Sequence, residues 1–328
     1  MRALQLEDLL RHAAAKHQGA LPAHDASPAT PILRSIDRPT DALRSLLAPL
    51  VVPLGSARAW RRVFKEPVTE LAVTHLVIGQ LISYEMADRQ LWKLAEQRPL
   101  RKVLAIGTSV GLNDAHYFAR HCDAEVYGID YHNFVSQWQA LAPVLEARHG
   151  RPFHFSQQSI ANTNFPDGFF DLQISNAVVE HLVKLESAVA EMARITAPGG
   201  LALHSFGPLY CVHGGDHVSP VLGAEHGYDH LLLSEEQYQK QIAELRLTAH
   251  ADDAYWAQDG LFSYARVAEY FAAFERHFHI RYSVATVSQA ALDFRERSPQ
   301  AWNTLRGSGL SEADLLVDGL TFVLEKRG

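Results

Sequence analysis

The sequence has few of the residues on which specialised sites depend. Its 328 residues include two cysteines, Cys122 and Cys211, which are too few for a disulfide framework and form no metal-ligand pattern. This usage suits a reducing compartment. The formal net charge is −7 and no cluster of lysine and arginine supplies a phosphate-binding stripe, so nucleic acid is not expected as a partner.

Long apolar runs are also absent. The most apolar stretch, at residues 71–82, is interrupted by His75 and Gln80 and is too short to cross a bilayer. The N-terminus carries Glu7 and Asp8 where a signal peptide would be apolar. We therefore expect a cytoplasmic protein that does not associate with membranes.

One stretch, residues 103–131, contains the most informative pattern in the chain. Gly107 and Gly111 allow a tight turn that brings the backbone close to a ligand. The pattern predicts a buried strand at 103–106, a helix at 113–121 and a second strand at 125–129. Asp130 stands at the end of the second strand. This order is typical of the opening βαβ unit of a nucleotide-binding sheet, with the acid placed to bind a ribose.

The spacing of the glycines indicates which kind of nucleotide the loop could bind. A dinucleotide loop has glycine at its first, third and sixth positions, where the backbone approaches the pyrophosphate. Here the third position is Ser109 and the sixth is Leu112, which argues against a nicotinamide dehydrogenase. The G-x-S-x-G spacing also suggests the nucleophile turn of α/β-hydrolases, with Ser109 as nucleophile. That hypothesis leaves Asp130 unexplained.

Three motifs resemble those of the class I S-adenosylmethionine-dependent methyltransferases, in the group that acts on small molecules. The first is the glycine loop with Asp130, the second is the fourth-strand motif at 165–181, and the third is the helix and Pro-Gly-Gly turn at 190–200. The resemblance covers residues 101–206. It implies an α/β fold with a Rossmann-like, mostly parallel seven-stranded sheet whose last strand is antiparallel, and S-adenosylmethionine as cofactor. The residues that it implies at the cofactor are Gly107, Thr108, Gly111, Asp130, Tyr131, Ser159, Ile160, Asn176 and Ala177.

Two positions depart from the pattern of the family. Ser159 stands where the family usually has an acid beside the adenine, and Ala105 stands where many relatives have an acid before the loop. A serine hydroxyl can still donate to or accept from the adenine. These departures motivate an alternative hypothesis, a catalytically silent module that binds S-adenosylmethionine.

The residues after the fourth strand narrow the class of acceptor. The sequence at 176–179 is Asn-Ala-Val-Val, without the prolines typical of enzymes that methylate base nitrogens or glutamine amides. It also lacks the carboxylate of the metal-dependent catechol-type enzymes, because Asn176 is neutral. We therefore expect a small-metabolite acceptor and no metal.

Acceptor chemistry is predicted at a histidine-rich loop, residues 207–217, because such loops line the acceptor pocket in similar enzymes. A histidine beside an acid is the usual general base, so His213, Asp216 and His217 are candidate catalytic residues, although a solvated loop is the alternative. His181 is a further candidate, with a structural role as the alternative. Tyr210, in the same loop, is a candidate substrate contact.

The first hundred residues are predicted to form a helical cap, lid or dimerisation region before a methyltransferase domain at 101–328. Tyr84, on the last cap helix, is a candidate substrate contact, and a homodimer through these helices is expected. The pattern predicts helices at 1–18, 41–47, 57–64 and 68–96, with a proline-containing loop at 19–34.

The C-terminal third is predicted to contain helices at 231–247 and 262–274, the first capped by Ser234. Strands at 279–287 and 316–324 are expected to form a closing hairpin whose insertion, containing Trp302, covers the pocket or makes an interface. The predicted reaction is methyl transfer to an oxygen, nitrogen or sulfur atom. A sulfur acceptor such as a methylthio amino acid or hydroxy acid stays open, because sulfur needs no base.

Overall fold

A computed structural model describes residues 32–35, 91–96, 98–109, 111, 118, 122–247 and 261–328 of the chain. The predicted cap helices before residue 91, the expected dimer surface on them, Tyr84 and most of the predicted helix at 113–121 lie outside these residues. None of the helices in the described ranges is long and apolar enough to cross a membrane.

The described residues form one mixed α/β sheet of eight strands in the order β1-β7-β8-β6-β5-β2-β3-β4. Pairings are parallel except those of β8, which is antiparallel to both β6 and β7. The strands are β1 Ile32–Ser35, β2 Lys102–Ile106, β3 Glu125–Asp130, β4 Phe153–Gln157, β5 Phe170–Asn176, β6 Thr196–Phe206, β7 Phe278–Val287 and β8 Val317–Lys326. The Rossmann-like sheet with an antiparallel last strand is thereby confirmed.

Strand β1 is an addition to the seven predicted strands. It pairs in parallel with β7, with Ile32 opposite Val284, so the prediction of a loop throughout 19–34 is wrong at its end. An unpaired sheet edge presents a row of free backbone N–H and C=O groups that can pair with a further strand. At β7 this pairing outweighs the turn signal of the nearby prolines.

The helices that flank the sheet follow the predicted periodicity, with two main differences from the predicted segments. The helix predicted at 231–247 is divided at Leu233 and Ser234, and Ser234 caps its second part in a capping box with Gln237. The helix predicted from 262 begins instead at Val267. The helices are α1 Val135–His149, α2 Leu185–Ile195, α3 Asp229–Leu232, α4 Glu235–Leu245, α5 Val267–His277, α6 Gln289–Arg297, α7 Pro299–Gly307 and α8 Glu312–Leu316.

The core lies on both faces of the sheet because alternate residues of each strand point to opposite faces. On β2, Leu104 and Ile106 join one apolar cluster, with α2 and α5, while Val103 and Ala105 join another, with α1 and residues 91–95. Continuous burial of these four residues explains the apolar run that predicted the strand.

The insertion between β7 and β8 consists of α6, α7 and α8 and has its own apolar cluster. Trp302 and Phe294 of the insertion pack against Tyr228, which lies in the segment after β6, and the Tyr228 hydroxyl donates to the carbonyl of Leu315. The insertion therefore supports the segment that was predicted to line the acceptor pocket.

Candidate active site

The glycine loop follows β2 and is shaped by two left-handed glycines. Gly107 has φ +68° and Gly111 has φ +87°, conformations that a side chain strains. A Cβ atom at Gly107 would overlap Cγ2 of Val178, and one at Gly111 would lie 2.7 Å from the ring of Phe155. Both positions therefore require glycine for space as well as for conformation.

Asp130, at the end of β3, holds this loop directly. Its Oδ2 accepts a 2.8 Å hydrogen bond from the N–H of Ser109, and its Oδ1 accepts one of 2.8 Å from the N–H of His132. Each carboxylate oxygen has a second lone pair, so these bonds leave capacity for two ribose hydroxyls. The structure thus gives Asp130 a part in ordering the loop besides the predicted contact with the ribose.

The other residues implied at the cofactor also follow strand ends. Ser159 and Ile160 come two and three residues after β4; Ile160 is buried, and the Ser159 hydroxyl accepts from the N–H of Ala161 at 3.3 Å. Asn176 ends β5 and is exposed, and Ala177 donates its N–H to the carbonyl of Ser205. Strands β5, β2, β3 and β4 are adjacent in that order, so these residues meet at one edge of the sheet.

That edge includes the position where the order of the strands reverses. Chain order runs outward from β2 through β3 to β4 in one direction, and from β5 to β6 in the other. Ligands of open α/β sheets bind outside the carboxyl ends of the strands at such a switch point. Thr108, which is buried, and Tyr131, which is 73% exposed, stand at this position on the two central loops. The binding roles of all nine residues stay predictions.

A pair of histidines lies next to this edge. The rings of His181, after β5, and His217, after β6, have centroids 5.1 Å apart, and Phe262 contacts both at 5.3 Å. His181 Nδ1 is 2.7 Å from the carbonyl of Leu261. A carbonyl can only accept, so Nδ1 carries the proton and Nε2 the lone pair in the neutral ring. His217 donates in the same way to the carbonyl of Pro208.

Both imidazoles are uncharged at neutral pH. Burial lowers the pKa of His181 despite its bond to Leu261, and His132 lowers it further. Burial lowers the pKa of His217 to about 4, and His181 contributes in the same direction. Since His132 follows Asp130 by two residues, the loop that carries the predicted ribose contact is within electrostatic reach of the histidine pair.

Aromatic rings continue the cluster on the far side of Phe262. Tyr210 is 5.3 Å from Phe262 and 4.5 Å from Tyr264, measured between ring centroids. Burial raises the pKa of Tyr210, so its hydroxyl stays protonated. Tyr264 also lines an open cleft of about 480 Å³, together with Val183 and Leu185 at the start of α2. The candidate Tyr210 therefore lies beside the histidine pair and a cleft.

The structure does not bring His213 into this cluster. Its Nε2 donates to the carbonyl of Ala224 at 2.7 Å, and its ring packs against Tyr228 and Phe294 and over the backbone of Gly227. These contacts are structural, because they fix the loop that returns to Gly227. The prediction that groups His213 with His217 therefore has no support in their contacts.

Asp216 likewise has partners other than the predicted ones. Its carboxylate accepts from the Tyr238 hydroxyl at 2.7 Å and from the N–H and hydroxyl of Ser219, and its nearest histidine is His230, at 3.9 Å. Burial acts to raise the pKa of Asp216, but His230 and these hydrogen bonds outweigh it and lower the pKa. Asp216 is thus an anchor for the turn at Ser219. The described residues contain no group of three side chains arranged to hold a metal.

Two residues of the site were missed by the sequence interpretation. The apolar pattern predicts a helix at Phe262, and the predicted catalytic residues include His181 but not its neighbour Glu180. Glu180 is fully buried, and its Oε1 accepts from the N–H of Gly207 at 3.1 Å. Burial raises its pKa to about 8, so the side chain is a neutral carboxylic acid at pH 7. A carboxylate directly before a candidate histidine is the signal that could have identified it.

Backbone strain is concentrated in the same region. Among the described residues, four other than glycine have left-handed φ angles: Ser109 at 50°, Ala177 at 53°, His217 at 64° and Tyr264 at 54°. They follow β2, β5 and β6 and precede α5. Such residues cost about 1–3 kcal/mol each and persist where the surroundings over-determine them, often at functional sites.

Comparisons with known proteins address the central part of the chain. Residues 104–204 match the methyltransferase domain family. The chain is 27% identical over 239 residues to an uncharacterized methyltransferase of Mycolicibacterium gilvum (strain PYR-GCK), which covers 71% of this chain and 80% of that protein. It is 29% identical over 136 residues to malonyl-[acyl-carrier protein] O-methyltransferase of Halorhodospira halophila, covering 39% of this chain and 43% of the relative.

Among solved structures, phosphoethanolamine N-methyltransferase 2 of Haemonchus contortus, in complex with S-adenosyl-L-methionine, is 15% identical with a TM-score of 0.43. The match covers 75% of this chain and 53% of that one, so this chain spans about half the length of that protein. At this level the likeness has no bearing on function.

Proposed function

We propose that the region matching the methyltransferase domain family is a class I S-adenosylmethionine-dependent methyltransferase domain, and that it transfers a methyl group from S-adenosylmethionine to a hydroxyl oxygen of a small molecule held beside His181 and His217. The observation that carries the proposal is the position of the histidine pair. It lies directly next to the strand ends that bear the donor motifs, and it consists of two uncharged bases.

The donor side of the proposal rests on the loops after β2, β3, β4 and β5. Gly107 and Gly111 allow the tight turn of the loop against Val178 and Phe155, and the Asp130 carboxylate has capacity to accept hydrogen bonds from the ribose hydroxyls. S-adenosylmethionine supplies an activated methyl group on a sulfonium. The protein therefore has to align the methyl group with the acceptor atom and exclude water.

The acceptor side favours a hydroxyl over a charged acceptor. Phe262 contacts both imidazoles, and Tyr210 and Tyr264 extend the cluster on its far side; these rings suit an apolar molecule. Neutral imidazoles neither repel the sulfonium nor attract an anion. The open cleft lined by Tyr264, of about 480 Å³, offers space beside these rings for the parts of the acceptor that do not react. One relative is named an O-methyltransferase, which supports an oxygen acceptor over nitrogen and sulfur.

The histidines supply the proton acceptor that an alcohol or phenol requires. As the oxygen bonds to the methyl carbon, the carbon–sulfur bond breaks, S-adenosylhomocysteine leaves with the electron pair, and the hydroxyl proton passes to an imidazole nitrogen. A hydroxyl oxygen becomes strongly acidic while it is being methylated, so a base with a pKa near 4 accepts its proton readily.

The test begins with calorimetric titration of the chain with S-adenosylmethionine and S-adenosylhomocysteine, followed by a tritiated-methyl screen over phenols, alcohols, amines and thiols. We expect micromolar binding of both nucleosides and label on a hydroxyl compound. Variants His217→Ala and His181→Ala are then expected to lower kcat while donor affinity is retained. His213→Ala serves as the control because its contacts lie elsewhere.

Other outcomes refute separate parts of the proposal. Binding without turnover on any acceptor supports the silent module instead. Turnover on a thiol or thioether that survives both histidine substitutions contradicts the oxygen acceptor, because sulfur needs no base. Absence of binding by either nucleoside contradicts the donor assignment itself.

A further inference from the structure

Glu180 lies where three segments of the active site meet. Its carboxyl Oε1 accepts from the N–H of Gly207, in the turn after β6. Its backbone carbonyl accepts from the N–H of Ser263 at 2.8 Å. One residue, itself in the turn after β5, therefore joins the turn that follows β6 to the segment that precedes α5.

These two contacts sit immediately beside the two that hold the histidines. Pro208, which accepts from His217, is the residue after Gly207. Leu261, which accepts from His181, is two residues before Ser263, and Phe262 lies between them against both imidazoles. The separation and tilt of the two rings thus depend on bonds made by Glu180.

The second carboxyl oxygen of Glu180 distinguishes it from an ordinary buried anchor. Within the part of the chain that the structure describes, Oε2 has no hydrogen-bond partner, although the side chain is fully buried. A carboxylate here would have a single N–H donor and would be costly to bury. The raised pKa of Glu180, about 8, agrees with a neutral acid.

We propose that Glu180 is a positioning residue for the methyl-transfer site, which sets the geometry of the His181–His217 pair by holding the turns at Gly207 and Ser263 together. It does not touch the acceptor, because it is fully buried. The inference rests on the proposed function for its catalytic consequence, but its geometric content is independent of that function.

Ionisation of Glu180 provides the means to test the proposal. The titratable groups that act on Glu180 or on the pair are Tyr270 on α5, whose hydroxyl is bonded to Ser263, His132, which acts on His181, and Asp216, which acts on His217. Burial raises the pKa of Tyr270, so its hydroxyl is neutral between pH 7 and 9, and the lowered pKa of Asp216 keeps its carboxylate charged there. His132 and Asp216 are present in every variant compared, so a change near pH 8 that is lost in Glu180→Gln is attributable to Glu180.

The experiment compares the full chain with Glu180→Gln and Glu180→Ala. Glutamine retains the acceptor for Gly207 and cannot ionise, whereas alanine removes the bond. Ring-nitrogen NMR of histidine-labelled protein, with His181 and His217 assigned by substitution, is recorded from pH 6 to 10. We expect both signals to shift with a midpoint near pH 8 in the unaltered chain, to lack this midpoint in Glu180→Gln, and to be displaced throughout in Glu180→Ala. Glu236→Gln, at an exposed position on α4 outside the cleft, is the matched control and should behave like the unaltered chain.

Activity on the acceptor found in the screen gives the second measurement. Glu180→Gln should retain kcat within about threefold at pH 7 and lack the alkaline loss above pH 8 that we expect of the unaltered chain. Glu180→Ala should lose at least tenfold in kcat with donor affinity unchanged. The proposal is wrong if the histidine signals are the same in the unaltered chain and Glu180→Gln across this range. That comparison needs neither turnover nor a folded alanine variant, so it stays separate from failure of the proposed function.

Discussion

Replacing Gly107 by alanine tests the steric reason for the glycine loop. The substitution places a Cβ atom in a left-handed residue, φ +68°, where it overlaps Cγ2 of Val178. Gly150 is a matched control, since its φ of +65° is nearly the same and no atom lies within 4 Å of a Cβ there. The two glycines have similar φ angles and differ in crowding.

The magnitudes follow from these surroundings. The left-handed conformation costs alanine about 1–2 kcal/mol, and the less flexible unfolded chain returns about 0.4–1 kcal/mol, so Gly150→Ala should lower the free energy of unfolding by about 1 kcal/mol. Crowding in a packed site adds about 1–3 kcal/mol, which gives about 2–4 kcal/mol for Gly107→Ala.

Val178→Ala provides the second arm of a double-mutant cycle. Without the two methyl groups of Val178, the nearest atom to the new Cβ is the Cβ of residue 178, at 3.5 Å, which is an ordinary contact. In that background Gly107→Ala should cost about 1 kcal/mol, so the coupling free energy should be about 1–3 kcal/mol. Urea unfolding followed by tryptophan fluorescence measures all four proteins. A coupling near zero, or equal costs at Gly107 and Gly150, would refute the steric explanation.

Three further outcomes are expected. Asp130→Ala should weaken S-adenosylmethionine binding at least tenfold by calorimetry, because it removes a charged acceptor and frees the N–H of Ser109; unchanged affinity would exclude a donor contact. Burial lowers the pKa of His204 to about 3, so below about pH 6.5 the unfolded state binds a proton that the folded state does not. The free energy of unfolding should therefore fall by about 1.4 kcal/mol for each pH unit below about 6.5. His204→Leu, measured by urea unfolding at pH 7 and 5, should reduce that slope. Hydrogen bonds from Arg194 hold the pKa of Glu191 at about 2, so its contribution is present above about pH 4.5 and lost as pH falls towards 2, a dependence that should be missing from acid titrations of Glu191→Gln.

The sheet and the loops predicted to bind the cofactor could be predicted from the sequence because their signals are local. The buried run of β2, the left-handed glycines and the acid after β3 each lie within a few residues of the features they specify. The late start of α5 was not predictable in this way. Tyr264 has a left-handed backbone, and the N–H of Val267 is bonded to Asp314, 47 residues later in the chain.

The roles of the candidate catalytic residues could not be predicted either, because they depend on contacts that are distant in sequence. His213 and His217 lie four residues apart in one glycine-rich loop, and nothing local distinguishes them. Their partners separate them, because His213 bonds to Ala224 whereas His217 lies against His181. Glu180 was missed for the same reason, since its partners are distant in sequence.

The four left-handed residues around the site also bear on how this protein can change. At about 1–3 kcal/mol each, their backbone strain destabilises the folded state by about 4–12 kcal/mol in total. This is comparable with the whole net stability of a typical domain. Packing of the remaining sheet and helices has to outweigh this strain energy for the folded state to be stable. A substitution that weakens core packing far from the loops and a strained residue in a loop therefore lower the same free energy of unfolding. A lineage that alters acceptor specificity through Tyr264 or His217 has to retain a well-packed sheet while it does so.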